Sequence, residues 1–171
     1  MSKMRRLRFS ARHIVLCGLV AFVSRLAAQT PSLTLSGGSG TTGGSFTLTV
    51  SMSSNGGTRP AAAQWDLNYS QADLVLAQGT FFSAGAAAIA AGKSVSCKTP
   101  AAGTVRCIVS GLNRTSIGDG DLASVTFQLV SNGKSATSTI SFAKTLGADR
   151  AGAPIMLSGS SISVIIAEPT P

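Results

Sequence analysis

The sequence predicts an all-β fold, a sandwich of about nine short antiparallel strands, and three observations carry it. Apolar and polar residues alternate with period two in segment after segment, the mark of strands buried on one face. Clusters of glycine, asparagine and aspartate separate these segments: Gly37-Gly38-Ser39-Gly40, Asn55-Gly56-Gly57, Gly118-Asp119-Gly120 and Ser131-Asn132-Gly133. Those residues tolerate the positive φ that tight turns need. Charged residues make up only 12% of the chain, about half the usual share, and Gly, Ser, Thr and Ala take their place. No stretch shows sustained helical periodicity, and no repeat is visible.

Along the chain, Leu33 and Leu35 open the series. Phe46, Leu48, Val50 and Met52 alternate with Thr47, Thr49 and Ser51. Trp65, Leu67 and Tyr69 alternate with Asp66 and Asn68, and Leu74 and Leu76 follow a short turn. Ala84–Ala91 (AGAAAIAA) breaks the pattern and fits either a helical turn or a loop packed on the sandwich. Residues 93–99 and 105–110 read as a hairpin around Pro100-Ala101-Ala102-Gly103-Thr104. Val125, Phe127 and Leu129, then Ile140 and Phe142, then Ile162, Val164 and Ile166 complete the strands. One domain over roughly residues 29–171, with a short tail after Ala167, is the simplest partition.

The hairpin places Cys97 directly opposite Cys107, where antiparallel partners stand about 4.5 Å apart at Cα, within disulfide range. The chain has no C-x-x-C pair, so the bridge reads as a structural staple and not a redox centre. A loop this short contributes about 2–3 kcal/mol.

The first 28 residues differ from the rest. Met1–His13 is basic, Ile14–Val23 is an unbroken apolar run of ten, and Ser24–Ala28 ends in small residues. That layout is a secretory signal peptide cleaved after Ala28, since the apolar run is too short to span a bilayer. Six of the fourteen basic residues lie there, so the net charge of +8 falls to +2 in the mature chain. No basic stripe is left for nucleic acid. The expected mature protein is free of the membrane and extracellular or periplasmic, where a Cys97–Cys107 bridge persists.

Catalysis lacks its usual groups. The single histidine, His13, is in the leader, and the carboxylates are only Asp66, Asp73, Asp119, Asp121, Asp149 and Glu168. The expectation is a binding protein and not an enzyme, without a cofactor. Asp119-Gly120-Asp121 is the one candidate cation site, but two local carboxylates fall short of the six to eight oxygens calcium takes, and a turn is the preferred reading. Asn68-Tyr69-Ser70 and Asn113-Arg114-Thr115 match the N-glycosylation pattern, whose meaning depends on the host.

Three motifs in register resemble the cohesin family. The run from Trp65 to Leu76 (WDLNYSQADLVL) is similar to the family's alternating strand, Tyr, turn and Leu-rich strand. Gly118–Phe127 (GDGDLASVTF) resembles its "DG-x-hydrophobic-A-x-hydrophobic-x-F" strand, and Gly43–Leu48 (GGSFTL) resembles the entry to its second strand. The resemblance spans most of the mature chain. It implies a nine-stranded jelly-roll sandwich and a protein-protein role, holding dockerin-type partners in extracellular polysaccharide-degrading assemblies. The positions matching the Asn and Asp with which cohesins contact dockerin are Ala62 and Gln64, and the family's Asp-Pro after Tyr is Ser70-Gln71. On a flat sheet face the candidate binding residues are Gln64, Asp66, Asn68, Arg106 and Asn113. The alternatives are a carbohydrate-binding module of the same fold and a structural surface or matrix protein. Few aromatics are available to stack on sugars: Trp65 and Tyr69 share the parity of Leu67 and so point inward, and of the adjacent Phe81 and Phe82 one is free to be exposed.

Overall fold

A computed structural model describes residues 29–130 and 136–168. The expected leader, residues 1–28, and the end of the expected tail lie outside the described residues. Among those described, thirteen strands and one short helix follow in order: β1 (Ser32–Ser36), β2 (Ser39–Thr41), β3 (Ser45–Ser53), β4 (Ala62–Asn68), β5 (Leu74–Leu76), β6 (Phe82–Ala84), α1 (Ala86–Ala90), β7 (Ser94–Ala101), β8 (Thr104–Ser110), β9 (Gly120–Leu129), β10 (Thr137–Ala148), β11 (Pro154–Met156), β12 (Ser158–Gly159) and β13 (Ile162–Ala167). No helix among them is long and apolar enough to cross a membrane.

The strands form two sheets. One runs β12-β1-β3-β9-β5, with β6 also paired to β9; the other runs β2-β13-β10-β4-β8-β7, with β11 also paired to β10. The inward positions of both sheets meet in one core. Leu48, Val50, Val125 and Phe127 come from the first sheet, and Trp65, Leu67, Val105, Val109, Ile140 and Val164 from the second; all are fully buried. Phe127 anchors the aromatic contacts, stacked on Phe46 at 5.6 Å and meeting Tyr69 edge-on at 5.1 Å. The alternating sandwich expected from period two is therefore what the chain builds.

Five strands, β2, β5, β6, β11 and β12, span two or three residues each, and of these only β5, with Leu74 and Leu76, shows in the sequence, since so short a strand leaves little alternation to read. The undecided alanine-rich segment is α1, whose Ala88 is wholly buried against the core. Small side chains let the turn lie close to β9, which strands of larger residues would have pushed away.

Two irregularities matter for the outer surface. The β7–β8 turn is tighter than the expected five-residue loop: Ala101 pairs with Thr104, and the slack is taken up by a register shift between Lys98 and Ala101. Gly103 makes this turn at φ 70°, a left-handed conformation that favours glycine, and an added Cβ would stand 2.8 Å from the Tyr69 carbonyl oxygen. The second irregularity is in β10. Ala143 pairs with Asp66 and Leu146 with Gln64, so Lys144 and Thr145 together face Trp65 alone. This is a β-bulge, and Lys144 takes φ 48° within it.

Cys97 and Cys107 pair as expected and are bonded, with Cα atoms 4.1 Å apart. Both side chains are buried and belong to the core cluster. A Cys97→Ser/Cys107→Ser variant should lose about 2–3 kcal/mol of unfolding free energy by urea titration. Equal stability with and without the bridge would contradict its role as a staple.

Candidate functional site

The outer face of the second sheet is the one surface where the candidate residues gather. β10, β4, β8 and β7 are consecutive neighbours there. Because Trp65, Leu67, Val105, Cys107 and Cys97 point inward, the residues between them point out. The registers then set these outward residues in rows. Leu146, Gln64, Ile108 and Ser96 form one; Ala143, Asp66, Arg106 and Lys98 the next; Ser141, Asn68 and Thr104 a third. The face therefore grades from an apolar row through a charged row to a polar one.

The apolar row is open. Ile108 and Leu146 are 39% and 44% exposed, and a shallow apolar depression of about 140 Å³ lies between them, floored by Gln64, Ala62 and Gly147. The charged row is more ordered. Asp66 is only 2% exposed although it lies on the outer side of its sheet. Arg106 Nε donates to its Oδ1 at 2.6 Å and Arg106 Nη2 to its Oδ2 at 2.8 Å, a two-pronged pair across adjacent strands. Lys144 Nζ is 3.9 Å from Oδ2. The Arg106 hydrogen bonds, with the charges of Arg106 and Lys144, hold the Asp66 carboxyl below its ordinary range against the upward push of burial. Asp66 in turn raises the Arg106 guanidinium. A depression of about 480 Å³ opens beside this pair, bounded by Asn68, Thr104, Pro100 and Lys144.

Four of the five expected binding residues, Gln64, Asp66, Asn68 and Arg106, thus share the face. Asp66 lies on the face but is covered and paired with Arg106, so its carboxylate is not open to a partner. Asn68 is exposed and accepts the Thr104 hydroxyl at 3.1 Å. Asn113 is off the face. It follows β8 in the loop that leads to β9, and its amide is turned toward the end of α1. Lys93 Nζ donates to its backbone oxygen at 2.9 Å and to its Oδ1 at 2.8 Å, and Asn113 Nδ2 donates to the Gly92 oxygen at 2.9 Å. Lys93 is buried, which lowers its ammonium's pKa. Asn113 thus clamps a buried lysine away from the sheet face.

The sequence reasoning overlooked Lys98, Ile108, Lys144 and Leu146. The first two were within reach: pairing Cys97 with Cys107 sets Lys98 opposite Arg106 and Ile108 opposite Ser96. Lys144 and Leu146 were not, because the bulge reverses the parity of everything after Ala143.

The candidate cation residues are engaged with protein. Asp119 accepts the Ser54 backbone N–H at 3.0 Å and the Ser54 hydroxyl at 3.1 Å, with Arg59 Nε 3.5 Å away. The Ser54 hydroxyl, more than its backbone N–H or Arg59, lowers the Asp119 carboxyl. Asp121 accepts the Ser51 hydroxyl at 2.6 Å. The two carboxylates tie the start of β9 to the end of β3 and its turn. Among the described residues no group of three or more His, Cys, Asp or Glu stands close enough to hold a metal. The aromatic rings are also engaged: Trp65 is fully buried, while Phe81 and Phe82 are half-buried and pack edge to face at 5.3 Å.

A family model for the cohesin domain matches residues 31–164. No curated protein sequence matches significantly. Among solved structures, a cohesin from Clostridium thermocellum, crystallised as a Coh-OlpC–Doc435 cohesin–dockerin complex, superposes with a TM-score of 0.69 at 13% identity, covering 84% of this chain and 97% of that one. The cohesin module of a family 33 glycoside hydrolase from Clostridium perfringens gives 0.65 at 20%, covering 82% and 97%. A non-cellulosomal cohesin from the archaeon Archaeoglobus fulgidus gives 0.63 at 11%, covering 81% and 91%.

The charged row has a pH signature. The folded pKa of Asp66 lies below its unfolded value of about 3.9. Its contribution to stability is complete above that value and disappears as pH falls through the folded one. Arg106→Gln should therefore destabilise the protein at pH 7 and cost progressively less toward about pH 2, as Asp66 protonates. Urea midpoints of both proteins across that range check this; a pH-independent gap would show that the pair does not carry the effect.

Proposed function

The chain belongs to the cohesin family, and from that premise we propose that it is a secreted, non-catalytic docking module that holds a dockerin-type protein partner on the outer face of β10, β4, β8 and β7. The observation that carries this reading is the open apolar row. Ile108 and Leu146 stand exposed side by side with Gln64 between them, on a sheet whose other face is fully packed. Exposed apolar residues rimmed by polar ones mark protein interfaces. The rows beside them supply the rim: Asp66, Arg106 and Lys98, then Asn68 and Thr104.

Secretion is supported by the leader-like residues 1–28 and by the Cys97–Cys107 bridge, which suits an oxidising compartment. Polysaccharide processing is the context in which such modules work as adaptors. In this reading the module carries no cofactor of its own, since Asp119 and Asp121 serve Ser54 and Ser51. The carbohydrate-binding alternative is weakened by the aromatics. Every ring among the described residues is buried or half-buried, and sugar platforms need exposed ones. Trp65 should emit in the blue in the free protein and keep that spectrum when polysaccharide is added. A red-shifted emission, or a shift on adding polysaccharide, would return weight to the sugar reading.

The test is capture from the secreted proteins of the host, with calcium and with chelator. Three baits are compared: wild type, an Ile108→Arg/Leu146→Arg face variant, and a Val75→Arg control on the outer side of the opposite sheet. The reading expects one dockerin-bearing partner on wild type and control and none on the face variant. No dockerin-bearing protein on any bait, or equal capture by all three, would overturn it.

A further inference from the structure

The face has a chemical direction that fixes what its partner must present. Its charged row holds three cations, Lys98, Arg106 and Lys144, around one carboxylate, Asp66, that is already buried and spent on Arg106. The Lys144 side chain is 71% exposed, and Lys98 is exposed as well. Two positive charges are thus left over along this row, which lies next to the apolar row.

The β10 bulge sharpens this into a second, independent observation. Without it, strict alternation after Ala143 would turn Lys144 inward, toward Trp65, and Leu146 inward after it. The extra residue instead places Thr145 on the inner side, where its hydroxyl donates to the Leu157 oxygen at 2.6 Å, and sends both Lys144 and Leu146 out onto the face. The chain holds Lys144 in a left-handed conformation, unfavourable for a residue with a Cβ, and exposes a leucine. One local distortion thus supplies a member to the charged row and a member to the apolar row. Bulges that re-aim side chains are concentrated at functional surfaces.

We propose that the partner is an acidic amphipathic protein segment, laid so that its apolar side chains cover Leu146 and Ile108 and its carboxylates meet Lys144, Arg106 and Lys98. This rests on the reading of the sheet face as the docking surface and adds the partner's chemistry and its orientation. Charge complementarity selects acidic segments over basic ones and speeds encounter, while the apolar row supplies area. A basic partner is disfavoured, because its cations would meet Lys98 and Lys144 while Asp66 is already held by Arg106.

The experiment uses the full chain, isotopically labelled, and two synthetic helical peptides that share a leucine face, one with glutamates on its flanks and one with lysines. Backbone amide shifts are followed by NMR at low and at physiological salt. The glutamate peptide should perturb Lys98, Arg106, Ile108, Lys144 and Leu146, weaken with salt, and bind Lys98→Glu/Lys144→Glu about tenfold less tightly. The lysine peptide should leave these amides in place. Equal response to both peptides, or perturbation centred elsewhere, would overturn the proposal. So would tighter binding of polygalacturonate, an acidic polysaccharide, at the same face. The two readings fail separately. A Lys98→Glu/Lys144→Glu bait that still captures the dockerin-bearing partner in full leaves the docking face standing and removes the acidic assignment. Selective binding of the glutamate peptide without any dockerin-bearing partner does the reverse.

Discussion

Strand β4 is buried along its inner side and, at Asp66, on its outer side too, and the rest of the molecule is arranged around that constraint. Its inward residues, Ala63, Trp65 and Leu67, are packed by the opposite sheet. Its outward Asp66 is covered by neighbours on the same sheet. A carboxylate removed from water must be paired, and a long cation in register on the adjacent strand pairs it with two hydrogen bonds at once. Arg106 on β8 is that cation, and the Cys97–Cys107 bridge one residue further along fixes β8 against β7. Core, bridge and surface pair are therefore three consequences of one strand alignment.

The same alignment explains why the outer face is graded and not uniform. In an antiparallel sheet, residues in register form rows across the strands, so each row takes its character from three or four positions that are distant in sequence. Leu146 and Ile108, either side of Gln64, give one row its apolar character; Asp66, Arg106 and Lys98 make the next one charged. The bulge in β10 is what admits Leu146 and Lys144 to those rows. A docking surface of this kind needs no catalytic group and no cavity of any depth. It needs a stiff sheet, and the fully packed inner face provides one.

Much of this was legible in the chain and some was not. Phe46 through Met52 announces β3 because its inner face is buried along its whole length, so alternation is unbroken. Cys97 and Cys107 announce their own pairing because a short hairpin leaves little freedom of register. Asp66 did not announce its burial, since the residue that covers it lies 40 positions away and nothing local distinguishes it from a solvated aspartate. Asn113, expected on the sheet face, instead lies off it and accepts Lys93, a partner twenty residues earlier. The end of β10 was hidden for a different reason: a bulge changes the phase of a period-two pattern, and after Ala143 the inward and outward labels exchange. The short edge strands β2, β11 and β12 were hidden because pairing with a neighbour, and not a pattern of their own, makes them strands.

The central claim is that the face of β10, β4, β8 and β7 is where a protein partner sits. Hydroxyl-radical footprinting of the full chain, alone and with its captured partner, tests it most directly, because it reads side-chain cover residue by residue. The account predicts that oxidation of Leu146 and Ile108 falls on binding while that of Val75, exposed on the opposite sheet, is unchanged. Protection of Val75 with Leu146 and Ile108 left open would contradict it.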